Sequence, residues 1–158
     1  IWDIENNAAL ITTLEGHKDS VYSIKTYMFD GITRLVSCDS GVWDGRVKIW
    51  NLSTHTLMRT LVTNHSRIES LAVTNQNNKI IIACGFNNGA VEICDLENDS
   101  FTVLSSPSEL YSFIEISVEF IRQGSQLCLL ALDENGSLKC WNVADRSIIS
   151  TLYCEGGD

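Results

Sequence analysis

A four-residue word returns along this chain at nearly constant spacing: Ile1-Trp2-Asp3-Ile4, Ile49-Trp50-Asn51-Leu52, Ile93-Cys94-Asp95-Leu96 and Cys140-Trp141-Asn142-Val143. The steps between the second letters are 48, 44 and 47 residues. One structural unit is therefore repeated, and function has to be sought on a surface that the repeats share.

A period in that range suits a four-stranded propeller blade and is too long for tetratricopeptide, ankyrin or leucine-rich units. Period-two alternation between turn clusters places the strands of the first complete unit at Val21 to Tyr27, Thr33 to Cys38, Arg46 to Asn51 and Thr56 to Val62. The second unit repeats them at Ile68 to Thr74, Lys79 to Cys84, Ala90 to Asp95 and Ser100 to Leu104. The third places them at Phe113 to Phe120, Gln126 to Leu132, Ser137 to Asn142 and Ser147 to Leu152.

Asp44-Gly45, Asn88-Gly89 and Asn135-Gly136 each start six residues before the second letter of a word. Such pairs predict two-residue hairpins with positive φ at both positions, joining the second strand to the third. That register sets Cys140 opposite Ala131 rather than Cys128. The third strand also puts a charge, Lys48, Glu92 or Lys139, among apolar neighbours. Its aliphatic stem is expected to pack while its head reaches an edge.

The fold class read from this pattern is all-β: a propeller segment of three four-stranded blades plus one orphan outer strand near Ala9 to Leu14. It is expected to form part of a larger ring of about seven blades. One domain spans 1–158, with 1–14 ending a preceding blade, blades at 15–62, 63–104 and 105–152, and a tail at 153–158.

Eleven basic side chains against twenty acidic ones give a net charge of −9. Approach to phosphate backbones or anionic membranes starts against repulsion, so neither nucleic acid nor membrane is expected as a partner, and a basic partner is. The longest apolar run, Leu127 to Leu132, is a strand and falls far below the roughly 20 residues of a span. No charged-then-apolar leader precedes the first repeat, so no signal peptide is expected.

Cys38, Cys84, Cys94, Cys128, Cys140 and Cys154 fall mostly inside strand patterns and form no Cys-x-x-Cys pair or spaced Cys/His set. They read as buried free thiols in a reducing, intracellular setting, cytoplasmic or alternatively nuclear, with no metal. Asn-x-Ser triplets at Asn51, Asn64, Asn98 and Asn135 read as turn chemistry rather than glycosylation sites.

Gly16-His17, the Asp44-Gly45 hairpin and Ile49-Trp50-Asn51 together resemble the WD40 repeat family, and the likeness runs along essentially the whole chain. It implies a buried network of His17, Ser37 or Ser40, Asp44 and Trp50, with Asp39 a second candidate carboxylate. Only the first complete blade carries the set. The second has Asn88 and Cys94 in place of the aspartate and tryptophan, and the third has Asn135 and no Gly-His. Those two blades are expected to lean on apolar area, and the first to be the most rigid.

His17 with a serine and Asp44 looks like a hydrolase triad on paper, yet the resemblance implies a packing network. No Gly-x-Gly-x-x-Gly, P-loop or zinc spacing is present, so the chain reads as a non-enzyme without a cofactor. The resemblance points instead to partner binding on the loop face, through Ser20, Tyr22 and Trp43, then Arg67, Glu69 and Asn87, then Ser112, Ile114 and Glu134. Tyr22, Trp43 and Arg67 are the side-chain types that carry most interface energy. An arginine just after the motif would imply docking to a cullin adaptor; Glu5, Ser53, Glu97 and Ala144 stand there instead.

The expected function is a non-catalytic scaffold that binds a peptide or protein on this face. The alternative is a structural, assembly or substrate-recognition segment of a larger multidomain protein whose activity lies outside the chain, the incomplete ring implying missing flanking blades or self-association.

Overall fold

The computed structural model describes residues 1–41, 45–65, 67–106, 116–133 and 136–153. A short pair, β1 (Trp2–Asp3) and β2 (Ala9–Leu10), precedes three antiparallel sheets. The first holds β3 (Val21–Phe29), β4 (Ile32–Asp39), β5 (Arg46–Asn51) and β6 (Thr56–Val62) in chain order. The second holds β7 (Ile68–Gln76), β8 (Lys79–Phe86), β9 (Val91–Asp95) and β10 (Ser100–Ser105). The third holds β11 (Ile116–Gln123), β12 (Gln126–Asp133), β13 (Ser137–Asn142) and β14 (Ile148–Tyr153). This is an all-β array of four-stranded sheets in propeller-blade order, and among the described residues no helix is long and apolar enough to cross a membrane.

The inner strands β3, β7 and β11 run side by side, and Lys25 on β3 reaches Glu119 on β11 at 3.3 Å. The sheets stack through two cores. Val36, Val47 and Ile49 meet Ile68, Leu71 and Phe86 in the first; Val91 and Ile93 meet Val118, Leu129 and Trp141 in the second. β8 serves both, because successive side chains leave a strand on opposite faces. Ile80, Ile82 and Cys84 enter the first core, while Ile81 and Ala83 enter the second. An uninterrupted apolar run is what a strand buried on both faces requires.

The recurring word has one structural meaning at each letter. Its third letter opens the turn after the third strand: the side-chain oxygens of Asp3, Asn51, Asp95 and Asn142 each accept the backbone N–H two residues on, at 2.8 to 3.1 Å. Asp and Asn interchange there because only an acceptor oxygen is used. Its second letter faces the preceding sheet. Trp50, Cys94 and Trp141 are buried, whereas Trp2, on the two-stranded piece, is 62% exposed.

The hairpins correct the expected turn chemistry. Two-residue turns of the primed class join the first and second strands instead, at Asp30-Gly31 (φ +51° and +70°), Asn77-Asn78 (φ +53° and +66°) and Gly124-Ser125 (φ +64° at the glycine). Between β8 and β9 the loop has three residues: Phe86 N–H bonds Ala90 O at 3.0 Å, and Gly89, at φ +79°, donates to Phe86 O at 2.9 Å. Only the glycine takes the left-handed conformation, as in a hairpin that ends on a bulge.

Gly136, at φ +75°, donates to Asp133 O at 3.0 Å in the same way. The longer loop shifts the register by one, so Cys140 lies opposite Leu130 rather than Ala131. Cys140 therefore shares a face with Cys128, on the diagonal. Gly45 serves packing rather than φ: an added Cβ would come within 2.8 Å of Ile68 and 2.9 Å of Thr63.

Candidate functional site

The loop face is built by two repeat-equivalent ties. Ser40 N–H donates to Ser20 O at 3.0 Å, and Asn87 N–H donates to Arg67 O at 3.1 Å, so each inner strand begins against the tip of its own sheet's second hairpin. Arg67, with φ +56°, also donates its N–H to Gly41 O of the first sheet at 3.3 Å. The start of β7 is thereby fixed to both neighbouring tips.

Immediately after each tie the inner strand carries a bulge. Val21 pairs with Asp39 and Ser23 with Cys38, which leaves Tyr22 as the extra residue. Ile68 pairs with Phe86 and Ser70 with Gly85, which leaves Glu69 in the same role. A bulge interrupts the ladder and re-aims the side chain it carries. Tyr22 is half exposed, at 50%, although it stands in a strand of the blade.

The structure thus brings Ser20, Tyr22, Arg67, Glu69 and Asn87 to one end of the array. Trp43, Ser112, Ile114 and Glu134 lie outside the described residues, as does Asp44. The sequence does not disclose the paired bulges, since the extra residue shifts the period-two phase at the second position of each strand, where too little of the strand precedes it to show the shift.

Beneath this face lies the buried network. His17 Nδ1 stands 2.8 Å from Asp39 Oδ2, His17 Nε2 stands 2.6 Å from Ser37 Oγ, and Trp50 Nε1–H donates to Ser37 Oγ at 2.8 Å. A carboxylate only accepts, so Nδ1 carries the proton; Nε2 then accepts from the Ser37 hydroxyl, whose remaining lone pair takes the indole N–H. Ser37 fills the place left open between it and Ser40. Asp39, the second candidate carboxylate, bonds the histidine, and its other oxygen accepts Arg46 N–H at 3.2 Å.

Asp39 can take that place because it ends β4 two residues beyond Ser37, on the same face of the strand. Gly16 lets the loop lie against the indole: a Cβ there would come 3.3 Å from the Trp50 ring.

A serine, a histidine and an aspartate in hydrogen-bond order invite a nucleophile reading. The geometry opposes it. Ser37 is buried inside β4 with both lone-pair and proton engaged, and Trp50 covers it, so no substrate carbonyl can approach its Oγ. Residues 8–51, which contain the whole network, match the family described as WD domain, G-beta repeat.

Residues 8–51 are similar to a WD40 repeat. WD40 repeats generally act as non-catalytic, protein-interaction scaffolds, and the second and third sheets here repeat the four-stranded order of the first. No curated protein matches the chain significantly.

The second sheet corrects one expectation. It has its own charge-assisted network, centred on Glu92, which is fully buried. Asn64 Nδ2 donates to Glu92 Oε1 at 2.8 Å, Asn64 N–H lies 3.4 Å from Oε2, and His65 Nε2 stands 3.7 Å from Oε1. The carboxylate head does not reach an edge; the loop before β7 comes inward to meet it. Lys48, at the equivalent place in β5, donates to Thr60 Oγ1 at 3.1 Å.

The thiols are packing groups. Burial pushes Cys38 and Cys94 up to about 12 and Cys84 well above its ordinary value, so all three stay protonated and unreactive near neutrality. Cys140, half-buried beside Cys128, is raised too, by burial and by that neighbouring thiol.

Proposed function

We propose that this WD40 chain is a non-catalytic scaffold that docks a peptide or protein, preferably a basic one, on the face carrying Ser20, Tyr22, Trp43, Arg67, Glu69 and Asn87. The observation that carries the reading is the pair of equivalent bulges at Tyr22 and Glu69, each set beside a backbone tie that makes the position rigid. A partner that meets a pre-ordered face loses less entropy on binding. The net charge of −9 favours encounter with basic sequences.

The test is a basic-peptide array probed with the wild-type chain and with Tyr22→Ala, Trp43→Ala and Arg67→Ala. Each substitution should weaken the same peptides by about tenfold or more, corresponding to roughly 1.4 to 2 kcal/mol at a hot spot. Unchanged affinity in all three variants would remove this face from consideration.

The end sheets favour a second reading, that these blades work as an assembly element. Ile24, Met28 and Leu57 on the first sheet, and Ile121, Leu132 and Leu152 on the third, are exposed on faces turned away from the second sheet. Apolar faces of this kind are usually covered. Light scattering tests it: association through these faces should yield to Met28→Lys and Leu152→Lys, and a monomer indifferent to both would oppose it.

A further inference from the structure

Cys128 and Cys140 differ from Cys38, Cys84 and Cys94, which are closed inside the first core. The register after β12 sets Cys140 opposite Leu130, so Cys128, opposite Asn142, becomes its diagonal neighbour on the same face of the third sheet. The Cys140 thiol lies within hydrogen-bonding reach of the Cys128 thiol. This face is turned away from the second sheet, which packs against Leu129, Ala131 and Trp141 instead.

Cys140 is half-buried, whereas Cys128 is fully buried. One thiol of the pair is thus open to a reagent, and the other is reached through it.

Their neighbours leave few uses for the pair. Ile121 stands opposite Cys128, while Leu130 and Ser150 flank Cys140. Among the described residues no group of three or more histidine, cysteine or acidic side chains converges, so tetrahedral zinc has no ligand set here. The chemistry that two thiols complete by themselves is a disulfide.

We propose that Cys128 and Cys140 form a reversible cross-strand disulfide, by exchange with a small-molecule disulfide of the glutathione type. Cys140, as its thiolate, attacks one sulfur of the reagent; a bond forms to Cys140, the reagent's own sulfur–sulfur bond breaks, and one thiol leaves. Cys128 gives up its proton and attacks the Cys140 sulfur, and the second reagent thiol leaves. Two protein thiols are oxidised, one reagent disulfide is reduced to two thiols, and the protons lost by the protein end on those thiols. The second step needs no opening to solvent, so a buried Cys128 suffices.

Diagonal neighbours stand farther apart than directly opposite ones, so closing the bond draws β12 and β13 away from their relaxed spacing. Strained disulfides are the readily reduced ones, which makes this crosslink labile. Burial, and then the neighbouring thiol, raise the Cys140 pKa, so the first step is slow at neutral pH and quickens in alkali. The site goes beyond the loop-face reading and uses none of its residues.

The test incubates the whole chain with a mixture of reduced and oxidised glutathione, traps free thiols by alkylation and maps the peptides by mass spectrometry. Leu152→Lys is treated alongside, so that a second copy covering this face cannot hide the pair. The expected product is two hydrogens lighter, joins Cys128 to Cys140, and is reversed by dithiothreitol. Its rate of formation should rise about tenfold from pH 7 to pH 8, following the thiolate fraction.

Cys128→Ser should stop the reaction halfway, with one glutathione held on Cys140, and Cys140→Ser should leave Cys128 unmodified. Tyr22→Ala should react as the wild type does, so failure of this site and failure of the loop-face reading are separable. A glutathione adduct that persists on wild-type Cys140, a bond to Cys154 in place of Cys128, or no reaction in either the wild type or Leu152→Lys would overturn the proposal.

Discussion

The first and second sheets solve one packing problem with different residues. In both, the third strand must bury a polar position and fill the space toward the preceding sheet. The first sheet fills it with the Trp50 indole, locked through Ser37 and His17 to Asp39. The second has only Cys94 there and moves its polar anchor two residues back, to Glu92, which Asn64 and His65 reach from the loop before β7. A missing tryptophan is therefore no sign of a blade without a network. What differs is where the volume sits: in the motif side chain of the first sheet, and in Phe86, Ile80 and Ile82 of the second.

The sharpest way to break this contrast is to truncate both motif side chains. Trp50→Ala removes a buried ring and strands the Ser37 acceptor, and should cost about 3 to 5 kcal/mol. Cys94→Ala removes one sulfur and should cost about 1 kcal/mol. Urea midpoints at constant slope measure both. Equal losses would mean that the two sheets depend on this position alike.

Asp39→Asn should follow, at about 2 to 3 kcal/mol, because it takes the charged acceptor from His17 and weakens the bond to Arg46 N–H. Asp44→Asn in the same assay should cost less than half as much. The reverse order would return the network to the turn aspartate.

In the second sheet, Asn64→Ala should cost about 2 kcal/mol, since it leaves the buried Glu92 carboxylate short of a donor. Glu92→Leu should fall within about 1 kcal/mol of wild type, because apolar replacement removes the desolvation penalty with the charge. A heavy loss in Glu92→Leu, with none in Asn64→Ala, would show that the carboxylate acts through some other neighbour.

These differences mark what the residues disclosed in advance. The repeat word and the alternation were enough for the blades, since a period-two pattern admits few registers once one face must be buried. Arg46–Asn51 and Thr56–Val62 are strands with the bounds the alternation gives. Hairpin geometry was less legible. Asn-Gly suits both a two-residue primed turn and a three-residue loop with a left-handed glycine, and only the ladder tells them apart.

That Asp39 can reach His17 turns on where β4 ends, a matter of one or two residues. Glu92 was visible as a charge inside an apolar strand, but its partner Asn64 looked like loop chemistry; nothing local says that a loop 28 positions away folds inward.

The smallest expected effect uses alkali. Cys38 in the first sheet and Cys94 in the second both rise from an ordinary value of 9.0 to about 12 in the fold, chiefly through burial. The unfolded chain therefore releases these protons first, and stability that is fully present below pH 9 is lost as the pH climbs toward 12. At pH 10 the loss through Cys38 is about 1.4 kcal/mol. The second sheet also holds Cys84, pushed up further by complete burial, so alkali should strain it more than the first. Urea unfolding at pH 7.5 and pH 10 compares wild type with Cys38→Ala, Cys84→Ala and Cys94→Ala. Each variant should lose less stability between the two conditions than wild type does, and the two second-sheet variants together should recover more than Cys38→Ala. If all four chains lose the same amount, the thiols are open to water in the folded state, and the tight stacking of β4, β8 and β9 against their neighbours would have to be drawn more loosely.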